Sequence, residues 1–210
     1  PSGVHVFVSA TAGERDDWRG DFVPSSDAVG DGWSGLDHVG IAVPSHRLNE
    51  EVGFLRTVFD LQPAAVEEFW EPEGRLLSRS LRPANGDTRL VLNVEDVAAR
   101  APRAGITQVA FSCTGLLTKV RLLRDRGVSL MAVPDNYYVD LAARFDLAEE
   151  TVAELREHGV LYDRVGDGEL LHVYTDVLAT GFYVELLERR GGYDGYGSAN
   201  THVRLASQLT

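Results

Sequence analysis

The segment Leu36–Val43 alternates between two kinds of side chain. Alternation with a period of two predicts a β-strand with two different faces. One face is bulky and apolar and should pack against helices; it consists of Val39, Ile41 and Val43. The other face carries His38, followed by Gly40 and Ala42, which are too small to fill the space above them. We therefore expect this second face to form the floor of a site rather than part of a packed core.

A second segment, Ile106–Cys113, repeats the pattern seventy positions later. In this copy Gln108 takes the position of His38, and Ala110 and Ser112 follow it on the small, polar face. Each segment is followed by one helical pattern and then by three strand-like runs. A repeat of this length indicates two copies of one supersecondary unit. The sequence thus predicts an α+β fold of paired βαβββ modules.

The repeat divides the chain into an arm and a domain. Residues 1–34 are expected to form an N-terminal strand, over Val4–Val8, and a linker arm. The rest is expected to be one domain, 35–210, made of module one (35–97), module two (105–190), and a Gly-rich tail with a C-terminal helix (191–210). The predicted helices are 48–60, 116–126 and 201–208, and the predicted strands after the first of each module are 65–70, 76–82, 89–94, 160–164, 170–176 and 182–187.

An insertion interrupts module two between residues 134 and 158. Its first part, Pro134–Tyr138, leads into an amphipathic run at Asp140–Phe145. Asp146 is then expected to open a second helix, with Glu149 three residues later completing a capping box. The insertion is interpreted either as a pair of surface helices or as a flap over a site.

Charge and cysteine content narrow the possible partners. The net charge is −12, from 32 acidic and 20 basic residues. This argues against nucleic acids and anionic membranes as partners, because both require basic patches. The single cysteine, Cys113, excludes a disulfide framework within the chain and suits a reducing compartment. No apolar run approaches the roughly 18 residues of a membrane span, and we expect a cytoplasmic protein.

Three polar residues fall on strand faces that have room above them. Glu185 lies between apolar neighbours in a predicted strand, where a carboxylate is costly unless it is paired or binds a metal. Alignment of the last strands of the two modules places Asn93 in the slot of Glu185. Together, His38, Gln108 and Glu185 would offer one nitrogen and two oxygen donors, which suits a divalent metal with open coordination positions.

Each of these residues also has an ordinary structural interpretation. A strand histidine can be a hydrogen-bonded core residue, a strand glutamine a cross-strand partner, and Glu185 could form an ion pair with Arg189 or Arg190. His172, in the strand before that of Glu185, is a further candidate, with either a supporting role or a direct one at the metal.

The motifs at these positions resemble those of the vicinal oxygen chelate superfamily, and within it the catalytic C-terminal half of 4-hydroxyphenylpyruvate dioxygenase. The resemblance covers Gly35 to about Gln208. His38 in Leu-Asp-His and Glu185 in the last strand match two of the family's three iron(II) ligands, and the tail Gly195–Asn200 is similar to the loop before its C-terminal gating helix. The resemblance implies a half-open barrel around a central site.

A narrower resemblance is to the dioxygenase-like domains fused behind bacterial 3-dehydroshikimate dehydratase barrels. The segments that carry it are Pro134–Phe145, Leu161–Arg164, His172–Thr175 and Val203–Ala206. It implies that the chain is the C-terminal piece of a longer protein with an upstream catalytic domain.

The resemblance implies a dioxygenase that acts on an aromatic or related 2-oxoacid with O2. Fe(II) is the implied metal, with Zn(II), Mg(II), Mn(II) or Co(II) as alternatives, and a homo-oligomer is expected. The residues expected to contact substrate are Asn93, Ser112, His172 and Asn200.

One departure from the family leaves other functions open. Gln108 stands where the dioxygenases have their second metal-binding histidine, and an amide oxygen is a weaker donor than imidazole for iron(II). Glutamine does serve as a ligand in the related glyoxalase group. The alternatives are therefore a glyoxalase-like lyase or isomerase with a redox-inert metal, and a degenerate accessory or ligand-binding module.

Overall fold

A computed structural model describes residues 3–7, 32–71, 74–86, 89–97 and 104–207. Within these ranges nine strands form one mixed sheet that curls into a half-barrel. The strands are β1 (Trp33–Ala42), β2 (Gln62–Pro63), β3 (Glu67–Glu71), β4 (Gly74–Arg82), β5 (Arg89–Val97), β6 (Gly105–Cys113), β7 (Leu161–Val165), β8 (Gly168–Tyr174) and β9 (Tyr183–Arg190). The helices are α1 (Leu48–Phe59), α2 (Leu116–Asp125), α3 (Asp135–Phe145), α4 (Glu149–His158) and α5 (Thr201–Ser207), and 3-10 turns occupy Ser45–Arg47 and Ser198–Asn200.

The strand order is β2-β4-β5-β1-β6-β9-β8-β7, and β3 also pairs with β4. β1 and β6, the first strands of the two modules, are antiparallel neighbours at the centre of the sheet. Each is flanked on its other side by the last strand of its own module, β5 or β9, in parallel. The paired βαβββ architecture predicted from the sequence repeat is therefore confirmed.

The register of the central pair shows how the modules are related. Val39 lies opposite Val109, and on either side of this pair His38 faces Ala110 and Gly40 faces Gln108. These positions are exchanged by a two-fold axis through the Val39–Val109 pair. The same axis relates the ladder irregularities that follow Leu36 and Gly40, so the duplication extends to the departures from regular pairing.

Each module has its own hydrophobic core. In module one, α1 packs Leu48, Val52 and Leu55 against the sheet. In module two, α2, α3 and α4 cover the sheet through a larger group of buried apolar side chains, including Tyr138 and Leu141. The apolar faces predicted for β1 and β6 are only partly covered. Phe111 remains 37% exposed, because α2 packs against the neighbouring strand β9.

Several predicted boundaries are wrong. Val4–Phe7 form no strand, while Val8 and the linker up to residue 31 lie outside the described residues. α3 begins at Asp135, five residues before the predicted run. Asp146 does not open α4; it ends α3 in a left-handed conformation with φ 48°, which Asp tolerates better than most residues. α4 starts from Ala148 with no side-chain cap.

Candidate metal centre

Three strands bring His38, Gln108 and Glu185 together inside the half-barrel. His38 Nε2 lies 3.2 Å from Glu185 Oε2 and 3.2 Å from Gln108 Nε2. Gln108 Nε2 donates to Glu185 Oε2 at 2.5 Å. All three side chains are buried, with exposed fractions of 3%, 7% and 1% in the order named. The structure thus brings together the three residues that the sequence singled out, and their role as metal ligands stays a prediction.

The central strand pair explains why the three side chains meet. His38 and Gln108 lie on either side of the two-fold axis, on the inner face of β1 and β6. β9 then runs parallel to β6 with Glu185 beside Ala110. The register corrects one sequence inference. Because Gln108 pairs with Tyr183 and His38 pairs with Arg89, the counterpart of Glu185 in module one is Val91, and Asn93 lies two residues further along.

Gly40 provides the space that Gln108 occupies. A Cβ added at Gly40 would lie 2.8 Å from the Cβ of Gln108 and 2.9 Å from its Oε1, closer than such atoms approach in folded proteins. The space that Gly40 is predicted to leave above the strand is thus filled by the side chain of Gln108, from across the two-fold axis.

We expect Gly40→Ala to move Gln108 and to lower the free energy of unfolding by about 1–3 kcal/mol, as overpacking does. The measurement is denaturant unfolding. Gly53→Ala is the matched control, because a Cβ there meets nothing within 4 Å and alanine favours the helix interior by roughly 0.5–1 kcal/mol. Equal stability of the wild type and Gly40→Ala would contradict the close packing.

His38 is also hydrogen-bonded to the carboxylate of Asp37, which is not one of the three converging side chains. Its Nδ1 lies 2.8 Å from Asp37 Oδ1, and Arg189 binds both oxygens of Asp37, with Nε at 2.8 Å and Nη2 at 2.9 Å. Arg189 therefore pairs with Asp37, not with Glu185 as one sequence interpretation had it. Burial opposes a charged imidazole, but the hydrogen bonds to Asp37 and Glu185 outweigh it and raise the pKa of His38 to about 9.

Glu185 is held by His172 from its other side. His172 Nδ1 lies 2.8 Å from Glu185 Oε1, and His172 Nε2 lies 3.0 Å from Asn200 Nδ2. Asn200 in turn accepts from Tyr137 Oη at 3.1 Å. Burial opposes the negative charge of Glu185, but hydrogen bonds from His172 and His38 outweigh it and lower its pKa to about 2.

These two pKa values predict a pH window for the stability of the metal-free protein. A group whose pKa is raised by folding stabilises the fold at low pH. The contribution of His38 to the free energy of unfolding is therefore complete below pH 6.5 and is lost as the pH rises through about 9. A lowered pKa acts in the opposite sense, so the contribution of Glu185 is complete above pH 4.5 and is lost as the pH falls towards about 2. Denaturant unfolding in the presence of a chelator should show a loss between pH 6.5 and 9 that His38→Gln flattens. An unchanged slope in that variant would contradict the assignment.

The predicted substrate contacts lie in three places. A cavity of about 50 Å³ adjoins two of the three converging residues, because its walls include His38 and Gln108, together with Asn93, but not Glu185. The described tail and α5 close it, since Tyr196, Ser198, Thr201 and Arg204 also line it. His172 and Asn200 are instead buried behind Glu185. Ser112 donates to Gly35 O at 3.4 Å and does not line this cavity.

The donor set fits a divalent cation if the Gln108 amide is one of the donors. Among the described residues, no three His, Cys, Asp or Glu side chains are arranged to hold a metal. The available donors are therefore His38, Glu185 and the amide of Gln108. Gln108 Oε1 accepts from Tyr183 Oη at 3.1 Å, and its Nε2 faces Glu185. Only the oxygen of an amide binds a cation, so ligation requires the amide to turn about its terminal bond, and the Tyr183 hydroxyl can then accept from Nε2.

Sequence reasoning missed the role of Asp37 and the pairing of Arg189 with it. The Asp37-His38 dipeptide was a usable signal, because a histidine that binds a metal commonly donates its other ring N–H to a carboxylate. The partner Arg189 lies 152 positions away from Asp37, and no local pattern connects the two.

Comparison with known proteins places the chain among dioxygenase-like domains. It is 39% identical over 203 residues to 3-dehydroshikimate dehydratase of Pseudomonas aeruginosa, covering 92% of this chain and 32% of the relative. It is 27% identical over 178 residues to 4-hydroxyphenylpyruvate dioxygenase of the same organism, covering 79% of this chain and 49% of the relative. No family model matches the chain.

A solved structure shows the same fold. A xylose isomerase-like TIM barrel/4-hydroxyphenylpyruvate dioxygenase fusion protein superposes with a TM-score of 0.74 at 37% sequence identity, over 83% of this chain and 29% of the fusion protein. The chain thus spans about a third of that protein and of the dehydratase. In the part of the chain that the structure describes, no helix is both long and apolar enough to cross a bilayer. In sequence and in fold, this chain is similar to the 4-hydroxyphenylpyruvate dioxygenase-like domains of these proteins, which is consistent with the vicinal oxygen chelate superfamily.

Proposed function

We propose that this domain binds a divalent metal, Fe(II) first among the candidates, through His38, Gln108 and Glu185, and acts as a dioxygenase on an aromatic or related 2-oxoacid. The observation that carries the proposal is the convergence of these three buried side chains within 2.5–3.2 Å of one another, two of them on the wall of a cavity. When bound, Fe(II) would supply the site where a 2-oxoacid and O2 are held and activated.

The residues of the chain supply ligand geometry and exclude water. Asp37 accepts from His38 Nδ1, so that Nε2 is left free to face the site. His172 fixes the carboxylate of Glu185 from behind. Tyr196 lies edge-on to His38, with ring centroids 5.4 Å apart, and helps to close the cavity. Asn93, on the cavity wall, is the proposed polar contact for substrate.

The cavity of about 50 Å³ holds no more than a few water molecules, so a 2-oxoacid requires the tail to move. The tail and α5 provide the part that would open, because they contribute four of the fifteen described wall residues from one continuous segment, 196–204. We also propose that an upstream catalytic domain precedes this one in a longer protein, which is supported by the lengths of the relatives.

A second candidate is an accessory module without catalysis. It is favoured by the hydrogen bonding of the buried side chains among themselves, since Glu185 accepts from Gln108 Nε2 and lies within hydrogen-bonding distance of both His38 and His172. In that case the buried polar group would stabilise the fold and the domain would support a partner domain.

The experiment that separates these candidates combines metal analysis with oxygen uptake. The purified protein is loaded anaerobically with Fe(II), bound iron is measured, and O2 consumption is followed with 4-hydroxyphenylpyruvate and with other aromatic 2-oxoacids. Stoichiometric iron with substrate-dependent O2 uptake is expected. Bound metal without O2 uptake would favour a lyase or isomerase with a redox-inert metal, and the absence of metal binding would favour the accessory module.

A further inference from the structure

Arg189 lies at the junction between the candidate metal centre and the Gly-rich tail. On one side its Nε and Nη2 bind the two oxygens of Asp37, the carboxylate that holds His38. On the other side its Nη1 donates to the backbone oxygens of Gly195, at 2.6 Å, and of Tyr193, at 3.3 Å. One planar guanidinium therefore joins four acceptors from two parts of the chain, a geometry that an ammonium group cannot reproduce.

The tail is also attached to module one by its own side chains. Asp194 forms ion pairs with Arg82, at 2.8 Å, and with Arg89. The ring of Tyr196 has the guanidinium carbons of Arg89 and Arg189 at 5.6 and 5.9 Å from its centroid, and it meets the His38 ring edge-on. The segment 193–196 thus lies over His38, and its backbone and rings contact the same arginine that holds Asp37.

We propose that Arg189 is a positioning residue that makes the orientation of His38 depend on the closure of the tail. With the tail in place, the carbonyls of Tyr193 and Gly195 fix the guanidinium plane, and this plane fixes Asp37 and, through Asp37, the His38 ring. Displacing the tail removes the two carbonyls and the Tyr196 ring together, leaving Arg189 and Asp37 free to turn.

The proposal has a reciprocal consequence, and this part rests on the proposed metal binding. If tail closure favours the arrangement of His38 that binds a metal, then metal binding must favour tail closure by the same factor. A site assembled only when its cover is shut would keep a bound metal protected from water between turnovers.

The test uses Arg189→Lys in the full chain, with Arg190→Lys as the matched control. Arg190 is the next residue, and its Nε binds Glu188 at 3.0 Å. Backbone hydrogen exchange of residues 191–198 is measured by mass spectrometry with a chelator present and again with Mn(II). The 15N resonances of the histidine rings are recorded in the metal-free state.

In metal-free protein, Arg189→Lys is expected to speed exchange of the tail at least tenfold and to shift the His38 ring resonances, while Arg190→Lys leaves both unchanged. Mn(II) should slow tail exchange in the wild type and in Arg190→Lys but not in Arg189→Lys. Asp194→Asn, which loosens the tail without touching Asp37, should shift the same His38 resonances.

The proposal is overturned if Arg189→Lys exchanges like the wild type, or if the tail loosens while the His38 resonances stay unchanged in both variants. Failure of the wild type to bind Mn(II) would count against the proposed function alone, because the metal-free comparison still decides the role of Arg189. Thermal unfolding followed by circular dichroism identifies a variant that has lost its fold, in which case Asp194→Asn decides the outcome.

Discussion

Replacement of Glu185 by glutamine should weaken binding of a divalent metal by roughly 100-fold or more, a loss at or above the upper end seen when contacts around metal ligands are removed. Glu185 is the single carboxylate of the three converging side chains, and it is 1% exposed. Glu185→Gln keeps the size of the side chain and removes its charge, so the change in affinity reports the loss of an anionic donor. Anaerobic titration with Fe(II), or with Co(II) followed by its absorption, measures it.

Glu188→Gln is the control for this substitution. Glu188 lies on the same strand, but its oxygens accept from the backbone N–H of Leu116 and from Arg190. It should bind metal as the wild type does. Equal affinity of Glu185→Gln and the wild type would show that any bound metal lies elsewhere, and a comparable loss in Glu188→Gln would show that the strand, not the ligand, had been perturbed.

The fold could be predicted from the sequence because the duplication is recorded in short-range patterns. The alternation around His38 and around Gln108 identifies two equivalent strands, and equivalent strands of a duplicated unit commonly meet at a two-fold axis. The structure confirms that relation in the register of Val39 opposite Val109. What the pattern could not show is the antiparallel pairing itself, because pairing depends on contacts between residues far apart in sequence.

Strand periodicity predicts which residues of the candidate site face inwards, but it does not predict how the strands align. Period two placed Glu185 on the inner face, but it could not fix the alignment of Asn93, because a shift of two residues preserves the face and changes the neighbour. The ladder assigns that position to Val91. Module one therefore contributes a single donor, His38, where a symmetric site would have a second carboxylate.

Local boundaries failed where tertiary contacts override propensity. Asp146 and Glu149 have the spacing of a capping box, yet Asp146 belongs to the end of α3. Arg164 donates to Phe145 O at 2.7 Å, so a side chain from β7 satisfies a carbonyl at this helix end. A single-sequence pattern has no access to such a contact.

Gln108→His should tighten Fe(II) binding by at least tenfold, which corresponds to about 1.4 kcal/mol. Imidazole is a stronger donor to iron(II) than an amide oxygen, and it binds without first breaking a hydrogen bond to Glu185. Gly40 has no Cβ to collide with a side chain at position 108, and the Tyr183 hydroxyl, which now donates to the amide, can accept from the outer nitrogen of the new ring. The measurement is anaerobic Fe(II) titration of the two proteins side by side.

Phe111→His is the matched control, since regular pairing of β6 with β9 from Gln108 to Ser112 directs that side chain to the opposite face of the sheet, where it is 37% exposed. It should leave the affinity unchanged. If Gln108→His binds iron no better than the wild type, then Gln108 does not act as a ligand and the hydrogen bond to Glu185 is its whole role. If affinity rises and O2 uptake with an aromatic 2-oxoacid rises with it, the amide limits the chemistry of a site that is otherwise complete. If affinity rises alone, the natural glutamine is better explained by a metal that performs no redox step.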